Sequence, residues 1–264
     1  MATTSHRPVA LVTGASSGIG RALARELAGR GFDLILTGRS ADALDEAARE
    51  TRARGVHVTA VPADLATPDG VEEVAAQLAG RQLEVAAINA GIGSGGPFAE
   101  TDLEQELELV DLNVRSTVHL AKRVVAQMVD AGRGRILFTS SIAATHPDPF
   151  EAVYGASKTF VQSFAKALRT ELRPAGVTVT SLMPGPTETE FFHRANMDDT
   201  KIGASDSKDR AAEVARLAVE GMFAGNEQVV PGAPNKAITA LSRVLPDPVK
   251  AVLHSKLAAP GSGR

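Results

Sequence analysis

The chain has 264 residues, of which 44% are hydrophobic and 22% are charged, and its formal net charge is −3. This length and balance predict a soluble protein with a sizeable core, close to the upper size of one domain. The weak negative charge indicates no broad attraction to nucleic acid or anionic membranes. The absence of cysteine excludes disulfides, thiol nucleophiles and cysteine-based metal sites. Because the first residues lack the apolar core of a signal peptide and no apolar run of about 18 residues occurs, we expect a cytoplasmic protein without a membrane span.

Short apolar runs alternate with amphipathic helical patterns along the chain. The runs that predict strands begin at Val9, Phe32, Val56, Glu84, Gly134, Gly176 and Asn226. Such alternation is typical of an α/β fold, here a Rossmann-like, doubly wound parallel sheet of about seven strands with helices on both faces. We expect one domain over residues 1–264 with its core at about 8–232. An irregular, mobile substrate lid is expected at about 187–207, and a tail of short helices over 233–264 that is frayed at its end.

The first strand runs into the glycine-rich turn "TGASSGIG", Thr13 to Gly20, and then into a helix. Glycines let a backbone turn tightly and approach a diphosphate, and a helix N-terminus adds free N–H groups and a positive dipole end. The spacing differs from G-x-G-x-x-G, and an ordinary strand-to-helix turn is the alternative. The position after the first strand of a doubly wound pattern favours dinucleotide binding.

The second strand ends in "LTGRS", where Arg39 stands in place of the acid that commonly holds the ribose 2′-hydroxyl of NAD. A guanidinium suits a 2′-phosphate, which a carboxylate would repel. The sequence therefore predicts NADP(H) rather than NAD(H). The alternative is that Arg39 is a solvated loop cation.

Tyr154, the only tyrosine of the chain, and Lys158 are four residues apart in a helical pattern, so their side chains share one face. An ammonium nearby lowers the pKa of a phenol from its usual value of about 10. Such a phenol can give a proton to a carbonyl oxygen or take one from an alcohol. The same spacing is also common on surface helices.

Two further polar residues favour the catalytic interpretation. Ser141 follows the fifth strand, at the edge where open α/β sheets bind ligands, and its hydroxyl is suited to stabilise charge on a reacting oxygen. Asn113 falls inside a long helical pattern, where asparagine is a mediocre helix former. It is either a tolerated polar residue or one that holds water for a proton relay.

Several motifs together resemble the short-chain dehydrogenase/reductase family in its short, single-domain form. They are "TGASSGIG", "INAG" (Ile88 to Gly91), Asn113, Ser141, "YGASK" and "PGPTETE", and the similarity extends from about Pro8 to Glu190. The resemblance implies a catalytic set of Asn113, Ser141, Tyr154 and Lys158. It also implies a cofactor site that includes Tyr154 and Lys158 together with Gly14, Ser16, Ser17, Gly18, Ile19, Gly20, Arg39, Asp64, Leu65, Asn89, Ala90, Gly91, Pro184, Gly185, Thr187 and Thr189.

Each group has an implied role. The glycines form the diphosphate turn, Asp64 contacts the adenine, and Asn89 supports the cofactor and the fourth strand. Pro184, Gly185 and Thr189 flank the nicotinamide, and Thr187 contributes through its backbone. Two positions depart from the family pattern: Ile88 replaces the first asparagine of "NNAG", and Ser17 stands where NADP-using members often carry a second basic residue.

The resemblance implies an NADP(H)-dependent carbonyl reductase, or the reverse alcohol dehydrogenase, that works as a homodimer or homotetramer on a small-molecule carbonyl or alcohol. A non-catalytic NADP(H)-binding regulator and a dehydratase or epimerase are the alternatives. Phe150, Phe191 and Phe192 are candidates for an apolar pocket wall or for core packing. No metal is expected, because His193, Asp198 and Asp199 fit no ligand spacing. His146 is interpreted as a loop residue that could touch substrate.

Overall fold

The computed structural model describes residues 7–242 and 244–263, and in these residues nine strands occur, seven of which form one parallel sheet. The strands are β1 (Val9–Thr13), β2 (Asp33–Gly38), β3 (Val58–Pro62), β4 (Leu83–Ile88), β5 (Gly134–Thr139), β6 (Val177–Leu182), β7 (Thr187–Glu188), β8 (Asp209–Arg210) and β9 (Gln228–Val229). The order in the large sheet is β3-β2-β1-β4-β5-β6-β9, and β7 pairs with β8 separately. The predicted doubly wound, Rossmann-like sheet is therefore confirmed, and its strand order reverses between β1 and β4.

Of the ten helices in the described residues, the first eight lie between strands, two follow the last strand, and three begin at a side-chain cap. They are α1 (Gly18–Gly29), α2 (Ala41–Arg52), α3 (Pro68–Ala76), α4 (Leu103–Val110), α5 (Ser116–Asp130), α6 (Ala152–Leu172), α7 (Phe191–Arg194), α8 (Ala211–Phe223), α9 (Ala233–Leu241) and α10 (Asp247–Ala258). The side chains of Ser40, Thr67 and Asp102 accept hydrogen bonds from backbone N–H groups three residues on and so cap α2, α3 and α4. Such a cap stabilises a helix by about 1 kcal/mol. None of the described helices is long and apolar enough to cross a membrane.

The two faces of the sheet bury separate apolar cores. Along β1, Ala10 and Val12 pack with α1, α2 and α8, whereas Val9 and Leu11 pack with α3, α5 and α6. This division follows from the two-residue period of a strand. Because helices cover both faces, the strands contribute continuous apolar runs to the core, and polar side chains gather at the strand ends.

The long helical pattern around Asn113 is interrupted in the structure. Residues Asp111–Arg115 form one π-helical turn between α4 and α5. Single π turns occur inside α-helices, frequently at functional sites. The prediction of one uninterrupted helix is therefore wrong at this turn, which holds Asn113 with only 1% of its surface exposed.

The lid and the tail are more ordered than the sequence indicates. The 187–207 segment contains β7 and α7, and its Phe192 and Met197 are buried with Ala258 of α10. The predicted short helices of the tail are α9 and α10. The expectation of a frayed end is wrong for residues 261–263, because the N–H groups of Gly261 and Gly263 donate to Asp199 at 2.7 and 2.8 Å. Arg264 lies outside the described residues.

Candidate active site

A cavity of about 670 Å³ lies at the carboxyl ends of the parallel strands, where the strand order reverses. Almost all the residues that the sequence predicts for the site line it. They are Gly14, Ser16, Ser17, Gly18, Ile19, Gly20, Arg39, Asp64, Leu65, Asn89, Ala90, Gly91, Ser141, Tyr154, Lys158, Pro184, Gly185, Thr187 and Thr189. Among the described residues, Asn113 is the predicted site residue that does not line the cavity, and its side chain lies behind the wall.

The glycine turn packs its backbone too closely for side chains at two of its positions. Gly14 has a φ of 66°, which favours glycine, and a Cβ on Gly20 would lie 2.1 Å from the carbonyl oxygen of Gly14. Ser17 precedes α1, and its side chain makes no capping hydrogen bond to the first turn. The first N–H groups of α1 therefore face the turn without a side-chain partner, an arrangement that suits a diphosphate.

Asn89 joins three strand ends under the cavity floor. Its Nδ2 donates to the carbonyl oxygen of Thr13 at 3.0 Å, and its Oδ1 accepts from Thr139 Oγ1 at 3.0 Å. Its backbone N–H donates to Thr13 Oγ1 at 2.8 Å. These bonds fix the relative positions of β1, β4 and β5, which carry the glycine turn, the "INAG" segment and Ser141.

Arg39 lies at the rim of the cavity, where its side chain has a partner. Its guanidinium donates to the carboxylate of Glu108 on α4, and 65% of the Arg39 side chain is exposed. Exposed ion pairs of this kind contribute about 0–1 kcal/mol, so a phosphate can displace the carboxylate at small cost. Sequence spacing gives no sign of this pair, because 69 residues separate the partners.

Tyr154 and Lys158 lie on the first turns of α6 and are buried side by side. The Lys158 ammonium lies 5.7 Å from the centre of the Tyr154 ring and donates to the carbonyl oxygen of Thr139 at 3.1 Å. Ser141 lies at the end of β5, and its Oγ accepts a hydrogen bond from the Ala143 N–H at 3.1 Å. The structure thus brings the phenol, the ammonium and the serine hydroxyl to one wall of the cavity.

Burial shifts the pKa values of Tyr154 and Lys158. It raises the pKa of Tyr154 above the ordinary value of a phenol, and the charges of Glu151 and Asp148 raise it further, whereas a hydrogen bond with Ser141 lowers it. Burial lowers the pKa of Lys158 to about 8. The expectation of a lowered tyrosine pKa is therefore wrong, because it considered the lysine but neither the desolvation nor the carboxylates that precede the tyrosine in the chain.

Asn113 is anchored by its own side chain. Its Oδ1 accepts from the Ile92 N–H at 3.0 Å, and its Nδ2 donates to the Ile92 carbonyl oxygen at 2.9 Å and to Ser157 Oγ at 3.0 Å. A Cβ on Gly91 would lie 3.0 Å from this Oδ1 and 3.1 Å from the Lys158 nitrogen. The glycine therefore lets the amide and the ammonium lie close together.

The lid supplies an apolar wall next to the phenol. The ring of Phe191 packs on the ring of Tyr154 with centroids 5.2 Å apart, and Phe192 packs edge-on against Phe191 at 5.5 Å. Phe191 and Phe192 line the cavity, whereas Phe150 packs against the Phe192 cluster and does not line it in the part of the chain that is described. The methyl group of Thr189 would contact a Cβ on Gly18 at 2.9 Å, so the lid closes over the glycine turn.

Three buried residues near the site were missed by the sequence reading. They are Asp148, Glu151 and His254, and the last two line the cavity together with His146. Burial raises the pKa of Asp148 to about 8, with a further increase from the charge of Glu151 and an opposing effect of His254. No local spacing indicated this cluster, because His254 comes from α10 in the tail. By contrast, His193 and Asp198 form an exposed pair at 2.7 Å.

Comparison with known proteins agrees with this geometry. The family model for short chain dehydrogenases matches residues 8–200. Sulfoacetaldehyde reductase 2 of Chromohalobacter salexigens is 38% identical over 187 residues, which cover 69% of this chain and 74% of the relative. The chain therefore belongs to the short-chain dehydrogenase family, and it is an oxidoreductase of that family.

Two solved structures share the whole fold. A short-chain dehydrogenase from Sphingobium yanoikuyae in complex with NADPH superposes with a TM-score of 0.80 at 30% identity, covering 90% of this chain and 96% of the other. A short chain dehydrogenase/reductase from Burkholderia phymatum in complex with NAD superposes with a TM-score of 0.81 at 25% identity, covering 90% and 92%. The two neighbours thus differ in the cofactor that they hold.

Proposed function

We propose that this protein is an NADP(H)-dependent oxidoreductase that interconverts a carbonyl compound and its secondary or primary alcohol, with Tyr154 as the general acid and base. The observation that carries this proposal is the meeting of Tyr154, Lys158 and Ser141 at one wall of a cavity whose opposite end is the glycine turn. The bound nicotinamide would give or accept the hydride at its C4 position. The protein contributes orientation and proton transfer.

We assign a dinucleotide to the length of the cavity, whose volume is about 670 Å³. We assign the turn at Gly14 and Gly20 to the diphosphate; the lack of room for side chains on these two residues supports the assignment. We assign Asp64 to the adenine end, and Pro184, Gly185, Thr187 and Thr189 to the nicotinamide end. Gly185 also lacks space for a side chain, because a Cβ there would lie 2.2 Å from the Asn235 amide.

In the direction of reduction, the Ser141 hydroxyl would donate to the carbonyl oxygen and stabilise its growing negative charge. The Tyr154 hydroxyl would then give its proton to that oxygen as the carbon receives the hydride. A phenol with a raised pKa is fully protonated at neutral pH, which suits this donor role. The Lys158 ammonium, beside the Asn113 amide, would return a proton to Tyr154 through water.

The preference for NADP(H) rests on Arg39. Its guanidinium is the cation at the end of β2, and its present partner Glu108 is held only by an exposed ion pair. We expect Arg39→Asp to raise the KM for NADPH at least tenfold and to lower the KM for NADH. Lys122→Asp, which makes the same charge change at an exposed position of α5, is the control and leaves both values unchanged. Equal KM values for NADPH and NADH in the wild type would refute the preference.

The substrate class is proposed from the site and from one relative. Phe191 and Phe192 form an apolar wall, while Arg194 and Lys201 of the lid place two cations at the same cavity. A relative is named a sulfoacetaldehyde reductase, which acts on a small anionic aldehyde. We therefore propose aldehydes and ketones, with short anionic aldehydes among the first to test.

The direct test is NADPH consumption by the wild type against sulfoacetaldehyde and a panel of uncharged aldehydes, ketones and quinones. Turnover of a carbonyl compound supports the proposal. Tight NADPH binding without turnover of any carbonyl would instead support a regulator that senses the cofactor, and conversion of a substrate without net use of NADPH would support a dehydratase or epimerase.

We also propose that the protein is a homodimer or homotetramer. Leu103 and Leu107 of α4, Val118 of α5 and Phe160 of α6 are exposed apolar side chains on neighbouring helices. A monomeric mass at micromolar concentration, measured by light scattering, would contradict this expectation.

A further inference from the structure

Two imidazoles of the cavity wall meet a carboxylate that is buried behind it, outside the residues assigned to proton transfer. His146 and Asp148 lie in the loop between β5 and α6, and His254 lies on α10. The Oδ1 atom of Asp148 is 3.1 Å from Nε2 of His146 and 3.5 Å from Nδ1 of His254. The two ring nitrogens are 3.2 Å apart.

These three distances match one face of a zinc tetrahedron. Nitrogen and oxygen ligands lie about 2.0–2.1 Å from a tetrahedral zinc ion, so neighbouring ligand atoms are about 3.3–3.4 Å apart. Two histidines and one carboxylate are a common donor set for zinc. The fourth position would be open to water, because His146 and His254 both line the cavity.

The two imidazoles compensate the carboxylate only in part. The Asp148 side chain is fully buried, and neither of its oxygens has a hydrogen-bond partner among the described residues. A buried carboxylate without partners is strongly disfavoured unless a cation pairs with it. A metal ion at the centre of the three ligand atoms would supply that charge.

Each histidine ring also has a second nitrogen, which points away from the proposed metal position and lies near another polar group, as is common for histidine ligands. Nδ1 of His146 lies 3.1 Å from the Thr145 hydroxyl, and Nε2 of His254 lies 3.3 Å from a carboxylate oxygen of Glu151. Outer partners of this kind fix the tautomer and the orientation of histidine ligands. The other two ring nitrogens, Nε2 of His146 and Nδ1 of His254, lie 3.2 Å from each other and 3.1 and 3.5 Å from Oδ1 of Asp148.

We propose that His146, Asp148 and His254 bind one zinc ion, which joins α10 of the tail to the loop that precedes the Tyr154 helix. The proposal replaces the expectation of no metal, which rested on short-range spacing and could not detect ligands 108 residues apart. It does not depend on the proposed reductase activity, since the ion is assigned a structural link and no step of the reaction.

The test is calorimetric titration of chelator-treated protein with Zn²⁺, with Co²⁺ as a spectroscopic substitute. We expect one ion per chain, the strong visible absorption of tetrahedral Co²⁺, and a Tm that rises with added Zn²⁺. His254→Ala and Asp148→Asn should each weaken Zn²⁺ binding at least 100-fold and remove the rise in Tm. His193→Ala, at the exposed pair with Asp198, is the matched control and should change neither.

Several results would overturn the proposal. One is a wild-type titration no different from that of His254→Ala, which would leave the cluster as a metal-free network of histidines and carboxylates. Another is an equal loss of binding in His193→Ala. If His254→Ala does not fold, Asp148→Asn decides the question, because it keeps the shape of the side chain. Loss of carbonyl turnover in any variant bears on the proposed function and not on this site.

Discussion

Lys158 is predicted to reduce the stability of the fold that it serves. Burial lowers its pKa from 10.5 to about 8, which corresponds to a cost of about 3 kcal/mol for keeping the ammonium charged in the folded protein at pH 7. Replacing Lys158 with methionine removes this cost and keeps most of the side-chain packing. The variant also loses the hydrogen bond to Thr139, worth about 1 kcal/mol. We therefore expect Lys158→Met to stabilise the protein by about 2 kcal/mol at pH 7.

The effect depends on pH in a defined direction. Between pH 8 and 10.5 the folded wild type binds fewer protons than the unfolded chain, so its stability rises with pH across this window. The advantage of Lys158→Met should be complete below pH 8 and should shrink as the pH rises toward 10.5. It should appear as a Tm higher by roughly 4–8 °C at pH 7 in a chain of this size.

Differential scanning calorimetry or chemical denaturation of the two proteins from pH 6 to pH 10 measures this difference. Lys166→Met, at an exposed position of the same helix, is the matched control and should stay within about 0.5 kcal/mol of the wild type. The reasoning is refuted if Lys158→Met is less stable than Lys166→Met at pH 7. It is also refuted if the advantage of Lys158→Met does not change with pH.

Three other substitutions test separate parts of the site. Glu108→Gln should release the guanidinium of Arg39 from its ion pair. The KM for NADPH should then fall about two- to fivefold at low salt, with a smaller effect at high salt. An unchanged KM would contradict this prediction. Phe191→Ala should raise the KM for apolar carbonyls more than for sulfoacetaldehyde, since it removes an apolar wall; identical kinetics would place the ring outside the substrate pocket. Gly155→Ala should destabilise the protein by roughly 1–3 kcal/mol, because the new Cβ would lie 2.1 Å from a carboxylate oxygen of Asp148; at an ordinary helix position the same change stabilises by about 1 kcal/mol.

The features that the sequence predicts well are those that local patterns determine. The alternation of apolar runs and helical patterns gives the parallel sheet, and a parallel sheet brings its strand ends to one edge. Gly14, Asn89 and Ser141 each follow a strand, so their gathering at one cavity could be predicted from the order of elements alone. The proximity of Tyr154 and Lys158 could also be predicted, because residues four apart on a helix share one face.

The features that were missed depend on contacts between distant parts of the chain. His254 reaches the active-site loop only because α10 packs against the lid, and the Arg39–Glu108 pair joins β2 to α4. The raised pKa of Tyr154 is due first to the burial of the whole side chain, which residue spacing along a helix does not report. The charge of Glu151 adds to it, and this residue is local, three positions before the tyrosine.

The most direct test of the central claim is transfer of deuterium to the product alcohol from NADPH that carries deuterium at both C4 positions, in the wild type and in Tyr154→Phe. We expect deuterium on the carbinol carbon of the wild-type product. We expect a kcat lower by about 10²- to 10⁴-fold in the variant, with NADPH affinity within about twofold of the wild type. Retention of most of the activity by Tyr154→Phe would contradict the assignment of Tyr154 as proton donor, and an alcohol without deuterium would contradict hydride transfer itself.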